Sequence, residues 1–298
     1  MTTTSAYEDV VDLRRYPIGE PDGAEYRSLV QACRDQLRDR GVAQLSGFLA
    51  PAAVSEMIAE SGRLADRAWS SDQSHTVYFR PPDESAGPDH PRALMQHSAK
   101  KGIACDLIPA SAPIRRLYES DDLTAFIAAV LGKPVLYRSA DPFDAVSIAV
   151  FEDGDELGWH FDNSEFSVTV MYTESEAGGH FDYRPGLRDE YDENYPAVRK
   201  VLLGDPGAAA EGPGQCSAAA EGPGQCGAAA EGPGQCGAVV RLPTSPGTLA
   251  VFRGQHALHR VTPVSGPRPR INSVLTYGER PGMKLNRLTQ ELFYGRTG

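Results

Sequence analysis

From residue 133 onward, short runs rich in β-branched and aromatic residues alternate with glycine and proline, and this feature constrains the fold most. The runs are "PVLYR", "VSIAVFE", "FSVTVMYT", "GHFDYRP", "GTLAVFRG" and "RINSVLTYG". Runs of this length and composition predict short β-strands. A chain that supplies many short strands in succession buries their apolar faces by forming a sandwich or a closed barrel.

The chain before these runs is predicted to be mainly helical. Residues 23–41 and 51–69 carry apolar side chains at helical spacing, and "LTAFIAAVLG" predicts a third helix. "VAQLSGFL" predicts one short strand, whereas residues 70–112, rich in Pro, Ser, Asp and His, are predicted to be mostly loop. The sequence therefore predicts one structural unit, in which residues 1–132 form a helical support with loops and residues 133–298 form the β core.

The charge and the cysteine count restrict the partners. A formal net charge of -11 disfavours binding to nucleic acid, because phosphate backbones repel an acidic surface. No apolar run is long enough to span a bilayer, so no membrane partner is expected. The N-terminus lacks the pattern of a secretory signal, and five cysteines form an odd set. Both observations predict a cytoplasmic protein without a disulfide framework, and the oligomeric state stays open.

Residues 208–237 consist of three near-identical decapeptides, each related to "AAAEGPGQCG". Such a unit has no large apolar side chain, so it cannot bury enough surface to offset the entropy of ordering it. Its cysteines recur every ten residues rather than in the close pairs of a zinc site. We interpret the repeat as a flexible surface insertion between two strands, and a thiol-bearing lid or partner-binding loop is the alternative.

The stretch "WHFDNSEFSV" places His160 and Asp162 two residues apart. Residues at this spacing on a strand point to the same face, so both can meet one metal ion. His259 follows a predicted strand, and a basic residue, Arg268 or Arg270, comes about ten positions later. Two histidines and one carboxylate on one face of an ion are the ligand set of non-haem Fe(II) oxygenases. A zinc hydrolase is disfavoured because the sequence has no HExxH motif.

Two other arrangements of ligands remain open. His256 lies three residues before His259, so the two side chains would point to opposite faces of a strand and only one could reach the metal. We favour His259 on this ground. His180 and Asp182 form a second HxD pair, which spacing alone does not exclude.

The pattern "HFD…HRVTPV…RPRINSVLTY" resembles the Fe(II)/2-oxoglutarate-dependent dioxygenases, over about residues 133–280. The resemblance implies a mainly β fold with helices, namely a double-stranded β-helix (a jelly roll, cupin-like) braced by the N-terminal helices. It implies Fe(II) as the cofactor, with 2-oxoglutarate and O2 as co-substrates. The implied iron ligands are His160, Asp162 and His259, and the implied anchor for 2-oxoglutarate is Arg270, with Arg268 as the alternative.

The run "GDELGWHFDNSEFSVTV" is most similar to bacterial enzymes that act on free amino acids or similar small metabolites, a group of hydroxylases and halogenases. The resemblance therefore implies hydroxylation of an unactivated C–H bond of a small, amino-acid-like substrate, with release of succinate and CO2, in natural product biosynthesis. Halogenation is disfavoured because it needs a vacancy where Asp162 stands. Desaturation, epoxidation or cyclisation at the same site remain alternatives, as does a non-catalytic β-sandwich that binds a ligand.

Five further residues are candidates for contact with the substrate. Asn163 and Glu165 follow the HxD pair, and a few polar groups of this kind often orient a ligand in a pocket. Arg138 and Asp141 lie at the end of a predicted strand, and Trp159 is expected either to pack in the core or to line the pocket. The charged stretch at residues 184–195 is expected to be a solvated loop, with a lid over the site as the alternative.

Overall fold

The structure is a computed structural model that describes residues 7–204 and 239–298. The repeat at residues 208–237 lies outside the described residues, and so do the predictions made for it. The α-helices of the described part are α1 (Ala24–Arg40), α2 (Pro51–Leu64), α3 (Pro113–Tyr118), α4 (Asp121–Leu131), α5 (Tyr195–Leu202) and α6 (Arg287–Tyr294). Within residues 7–204 and 239–298, no helix is long and apolar enough to cross a membrane.

Three of these helices were predicted from apolar spacing, and their ends have clear causes. Gly41 and Gly132 end α1 and α4 with φ angles of 72° and 70°, a left-handed conformation that glycine adopts at no steric cost. At the start of α4 the hydroxyl of Ser120 accepts a hydrogen bond from the backbone N–H of Leu123. The predicted helices over residues 23–41, 51–69 and "LTAFIAAVLG" are therefore confirmed to within a few residues.

Short strands make up the rest of the regular structure. They are β1 (Val42–Leu45), β2 (Trp69–Thr76), β3 (Met95–Ile103), β4 (Tyr137–Arg138), β5 (Val146–Phe151), β6 (Glu156–His160), β7 (Ser167–Thr173), β8 (Ala177–Gly178), β9 (Phe181–Arg184), β10 (Val240–Leu242), β11 (Leu249–Phe252), β12 (Leu258–Val261), β13 (Val264–Ser265), β14 (Arg270–Leu275) and β15 (Tyr277–Gly278). Each of the β-rich runs read from the sequence contains at least one of them.

In the described residues β13 pairs with β8 and β15 with β4 in two small sheets, and the other eleven strands form one large antiparallel sheet. Its order is β1-β11-β7-β14-β5-β3-β6-β12-β9-β10, with β2 paired to β3. Strand β3 pairs with β5 through Lys101 and with β6 through Ser98, so it joins the two halves of the sheet. Strand β1 closes one edge by pairing with β11, where Val42 lies opposite Phe252. The predicted fold class, a double-stranded β-helix with bracing helices, is confirmed.

Side chains alternate between the two faces of the first half of the sheet. On β5, Val150 belongs to the main apolar core formed with the helices, whereas Ala149 and Phe151 line an internal cavity. On β14, Ile271 packs into that core, whereas Arg270 faces the cavity. Because successive side chains of a strand point to opposite faces, one face of the sheet packs against the helices and the other lines the cavity.

The prediction of mostly loop over residues 70–112 is wrong for β2 and β3. Both strands are polar, "WSSDQSHT" and "MQHSAKKGI", so neither shows the apolar alternation that predicts a strand. Pairing with each other and with β5 determines their conformation, because backbone hydrogen bonds form whatever the side chains are. The first 132 residues therefore supply three strands to the sheet in addition to helices.

Candidate metal centre

Two histidines face each other across neighbouring strands. His160 is the last residue of β6 and pairs in register with His259 of β12. Their ring centroids are 4.0 Å apart, and each side chain is 3% exposed. The antiparallel register therefore brings together two residues that are far apart in the sequence.

Backbone carbonyls fix the tautomer of each ring. Nδ1 of His160 lies 2.8 Å from the carbonyl oxygen of Gly158, and Nδ1 of His259 lies 2.8 Å from that of Ala257. A carbonyl oxygen only accepts hydrogen bonds, so in each neutral ring Nδ1 carries the proton and Nε2 keeps its lone pair. Both Nε2 atoms point toward Oδ1 of Asp162, at 3.6 Å and 3.5 Å.

Asp162 lies just beyond the end of β6 and is held from three sides. Its backbone N–H donates to the carbonyl of Gly254 at 3.1 Å, and Ser167 donates its hydroxyl to Oδ2. Gly254 also presses against the carboxylate, since a Cβ atom at that position would lie 1.9 Å from Oδ2 of Asp162. This contact leaves space for glycine alone and leaves Oδ1 facing the histidines.

Gly254→Ala should therefore displace the Asp162 carboxylate. A Cβ atom cannot occupy space 1.9 Å from Oδ2, so the side chain has to rotate away from the histidines. We expect Fe(II) affinity to fall by about 10–100-fold, the range that follows from disturbing groups that orient metal ligands. Anaerobic Fe(II) titration measures the loss, and Gly87→Ala is the control because a Cβ atom there meets nothing within 4 Å. An unchanged affinity would show that Asp162 is not a ligand.

The protonation states of His160 and Asp162 suit a divalent cation, whereas the proton that Asp162 favours on His259 has to leave when a cation binds. Burial, with help from neighbouring His259, lowers the pKa of His160 to about 4. Burial opposes ionisation of Asp162, but the two histidines outweigh it and hold the pKa of the carboxyl well below its usual value. For His259 burial is outweighed by Asp162, so its pKa is raised. Neutral imidazoles and an ionised carboxylate are the forms that bind metals.

Residues 160, 162 and 259 form the one cluster of possible metal ligands found in the described ranges. One ligand atom from each side chain lies within 4.8 Å of the other two. Two imidazole nitrogens and one carboxylate oxygen on one side of an ion fit Fe(II) with open positions for further ligands. The donor set therefore fits the metal that the sequence pattern indicates.

The alternative ligands lie elsewhere. His256 is in the turn before β12, outside the cluster. His180 is exposed, and its neighbour Asp182 is buried between two arginines, 3.1 Å from Arg241 and 3.0 Å from Arg260. Asp182 is thus neutralised by ion pairs, and the second HxD pair does not form a metal cluster.

A cavity of about 260 Å³ lies beside the histidines, and Arg270 projects into it. The guanidinium is 4% exposed, and its Nη1 donates to the amide oxygen of Asn272. Its Nε has no hydrogen-bond partner, and no carboxylate forms an ion pair with it within residues 7–204 and 239–298. Burial lowers its pKa to about 10, against the attraction of Glu174. Arg268, the alternative anchor, is exposed and donates to the carbonyl of Ser175.

Of the five predicted substrate contacts, Asn163 alone lines this cavity in the described part of the chain. Asn163 lines the cavity at its mouth. Glu165 instead accepts an ion pair from Lys133 at 2.9 Å. Trp159 packs in a separate apolar cluster beneath Arg260, because a residue next to His160 on a strand faces the other way.

The other two predicted contacts are structural. Arg138 pairs with Asp121 at 2.9 Å, on the outside of the sheet edge. Asp141 is buried, and its carboxylate accepts backbone N–H groups of a turn together with the amide of Gln290. Neither lines the cavity, and the structure gives both a different role from the one predicted.

Most residues that line the cavity carry no sequence signal, and four of them stand out by their charge or their contacts. Lys100 comes from β3, Asp144 from the segment before β5, and Tyr294 from α6, and Tyr294 donates to Asp144 at 2.9 Å. Phe79 packs on His160 with ring centroids 5.0 Å apart and has a φ angle of 52°, which is uncommon for a bulky residue. All four come from parts of the chain that carry no motif.

Comparison with known proteins supports the fold and gives the family. The chain is similar to SnoN, described as a non-heme alpha ketoglutarate dependent epimerase from nogalamycin biosynthesis, with 13% identity, a TM-score of 0.51, and 85% of this chain and 83% of that chain covered. It is similar to AviO1 from Streptomyces viridochromogenes Tue57, with 18% identity, a TM-score of 0.50, and 85% and 96% covered. No curated protein matches the sequence.

The described residues have the fold of these solved structures, one of which is described as a non-heme alpha ketoglutarate dependent epimerase, and they bring together a possible metal site of two histidines and one aspartate. The model of the family Halogenase D matches residues 26–211, which is more than half of the chain. The chain therefore belongs to the Halogenase D family.

Proposed function

We propose that this chain hydroxylates an unactivated C–H bond of a small, amino-acid-like molecule, with Fe(II) held by His160, Asp162 and His259. The observation that supports hydroxylation is Asp162 itself. In a family named for halogenases, this chain has a carboxylate at the third ligand position, held there by Ser167 and Gly254. A carboxylate occupies the position that a halide ion would need and repels that anion.

The protein supplies geometry to this reaction. When bound, Fe(II) with 2-oxoglutarate and O2 supplies the oxidising power for C–H cleavage, with release of succinate and CO2. The carbonyls of Gly158 and Ala257 orient the two imidazoles, and Phe79 covers the ring of His160. Apolar walls such as Phe151 and Val261 keep water from the cavity.

Arg270 is the proposed anchor for 2-oxoglutarate. Its guanidinium is buried, faces the cavity and has unused N–H donors. Leaving a buried cation without a partner destabilises a protein by about 3–5 kcal/mol. A carboxylate that binds next to the Arg270 guanidinium removes this penalty, which favours its binding. A planar guanidinium fork matches a carboxylate through two parallel hydrogen bonds.

Lys100 and Asp144 support an amino-acid-like substrate. They line the same cavity with opposite charges, and no salt bridge joins them in the described part of the chain. Burial lowers the pKa of Lys100 and raises that of Asp144 to about 6, so both charges are poorly solvated. A zwitterion supplies a carboxylate for the first and an ammonium group for the second, which relieves both costs.

The proposal is tested by succinate release across a panel of free amino acids, with product masses measured in chloride-rich and chloride-free buffer. We expect at least one amino acid to stimulate succinate release, and its decarboxylated and deaminated analogues to stimulate it far less. The product should gain one oxygen atom in both buffers. A chlorinated product from the wild type would overturn hydroxylation and the role given to Asp162.

Two other outcomes separate the alternatives. A product that has lost two hydrogens would indicate desaturation or cyclisation at the same site. No Fe(II)-dependent turnover of 2-oxoglutarate with any compound would favour a β-sandwich that only binds a ligand. A cytoplasmic location and a role in natural product biosynthesis stay predictions.

A further inference from the structure

A second chamber adjoins the cavity, and Asp162 and Asn163 line both. We name it the vestibule and define it by Tyr78, Arg80, Arg92 and Arg188 together with those two residues. Its volume is about 520 Å³, against about 260 Å³ for the cavity. A ligand that passes the metal cluster from the cavity therefore enters a larger and more polar space.

Two of the three acidic side chains that line the vestibule are paired with its arginines, and the third, Asp162, faces the two histidines. Asp83 lies 2.6 Å from Nη2 of Arg92, and Glu193 lies 2.8 Å from Nη1 of Arg188. The guanidinium of Arg80 has no hydrogen bond or ion pair within the ranges that the structure describes. A guanidinium offers five N–H donors and no acceptor, so donors remain in excess after these pairs form.

A buried hydroxyl adds to this excess of donors. The oxygen of Tyr78 is inaccessible to solvent and has no hydrogen-bond partner, although the residue lines the vestibule. Burial raises the pKa of Tyr78, so the hydroxyl keeps its proton and stays a donor. A buried donor without an acceptor is costly, which favours a ligand that brings one.

Arg188 and Tyr78 pack against the same aromatic ring. Arg188 lies over the ring of Phe161, 4.1 Å from its centroid, and donates from Nε to the carbonyl of Gln255 at 2.7 Å. Tyr78 stacks on the same ring, with centroids 5.7 Å apart. Phe161 lies between His160 and Asp162 in the sequence, so its ring is next to two of the proposed metal ligands.

We propose that the vestibule binds an anionic group, a carboxylate or a phosphate, at the far end of the prime substrate. Arg80 and Tyr78 would donate hydrogen bonds to its oxygens, while Lys100 and Asp144 hold the opposite end in the cavity. The carbon to be attacked then lies between the two chambers, beside Asp162. This inference rests on the proposed function, and it adds that the substrate carries a negative charge beyond the reacting carbon.

The test uses matched ligands that differ in one charge: aspartate with asparagine, glutamate with glutamine, and phosphoserine with serine. Each is titrated calorimetrically into the metal-free protein. We expect one anionic member to bind at least about tenfold more tightly than its neutral partner, since charge-assisted hydrogen bonds are the stronger ones. The first two pairs report on a carboxylate and the third on a phosphate.

Substitutions at the proposed donors test whether the preference for anionic probes arises in the vestibule. Arg80→Gln and Tyr78→Phe should each reduce it to about threefold or less, because they remove donors without removing a residue that supports the core. Arg63→Gln, on the surface of α2 and outside both chambers, should leave it unchanged. Melting temperatures of the variants confirm that they are folded.

The outcomes separate this inference from the proposed function. If no probe binds, if neutral members bind as well as anionic ones, or if the preference survives Arg80→Gln, the vestibule site is wrong. An anion preference that Arg80→Gln removes supports the site even if no amino acid stimulates succinate release, a result that would overturn the proposed function alone. Succinate release with an amino acid, but no preference for the charged probes, would support the proposed function and overturn the vestibule site.

Discussion

Alanine at His160, Asp162 or His259 should remove Fe(II) binding and lower turnover by well over 100-fold. Each side chain supplies one of the three ligand atoms that lie within 4.8 Å of one another, and a displacement of about 1 Å at a reacting centre already costs about 100-fold. Fe(II) affinity is measured by anaerobic titration, and turnover by succinate release. Circular dichroism should show that each variant keeps its fold, because these side chains face the cavity and not the main core.

His256→Ala is the matched control for the distal ligand. His256 lies three residues before His259 but in a turn, outside the ligand cluster. We expect its Fe(II) affinity and turnover to stay within about twofold of the wild type, the scale of a surface substitution. Retention of activity in His259→Ala together with its loss in His256→Ala would show that the wrong histidine has been assigned to the metal.

Arg270→Ala should raise the apparent KM for 2-oxoglutarate by about 30-fold or more. Truncating one partner of a buried, hydrogen-bonded charge pair costs about 2–5 kcal/mol, and 1.4 kcal/mol corresponds to a factor of ten. The KM for the prime substrate should change far less, because the proposed partners of that substrate are other residues. Initial-rate kinetics with each substrate varied in turn give both constants.

Arg268→Ala provides the comparison, since Arg268 is two residues away and exposed, and within residues 7–204 and 239–298 its side chain donates only to a backbone carbonyl. Its KM for 2-oxoglutarate should be close to that of the wild type. An effect confined to Arg268 would move the anchor to the surface strand end and would contradict the role of the buried guanidinium.

Local sequence patterns were enough to predict the helices and strands that form because of their own residues. Apolar side chains at a period of 3.6, ended by glycine, located α1 and α4, and β-branched runs located β5, β7, β11 and β14. The polar strands β2 and β3 could not be predicted, because only partners distant in the sequence hold them extended. Tertiary pairing overrides local preference at such positions.

The residues of the candidate site also fall into those that a local pattern predicted and those that it did not. The HxD spacing and the order of the distal histidine indicated a cluster that the structure brings together. The prediction that Trp159 could line the pocket conflicts with strand alternation, because the residue next to a cavity-facing histidine on a strand faces the other way. Lys100 and Asp144 had no signal, because their meeting in one cavity depends on the pairing of β3 with β5.

The pairing of β1 with β11 has a consequence for how the chain acquires this structure. Val42 finds its partner Phe252 only after residue 252 has left the ribosome, so the N-terminal helices emerge long before this edge of the sheet can form. Contacts between such distant segments pay a loop-closure cost before they return any stabilisation, which slows folding. The nascent N-terminal part therefore waits with exposed apolar faces, a state in which protection by a chaperone matters more than in chains folded from local contacts.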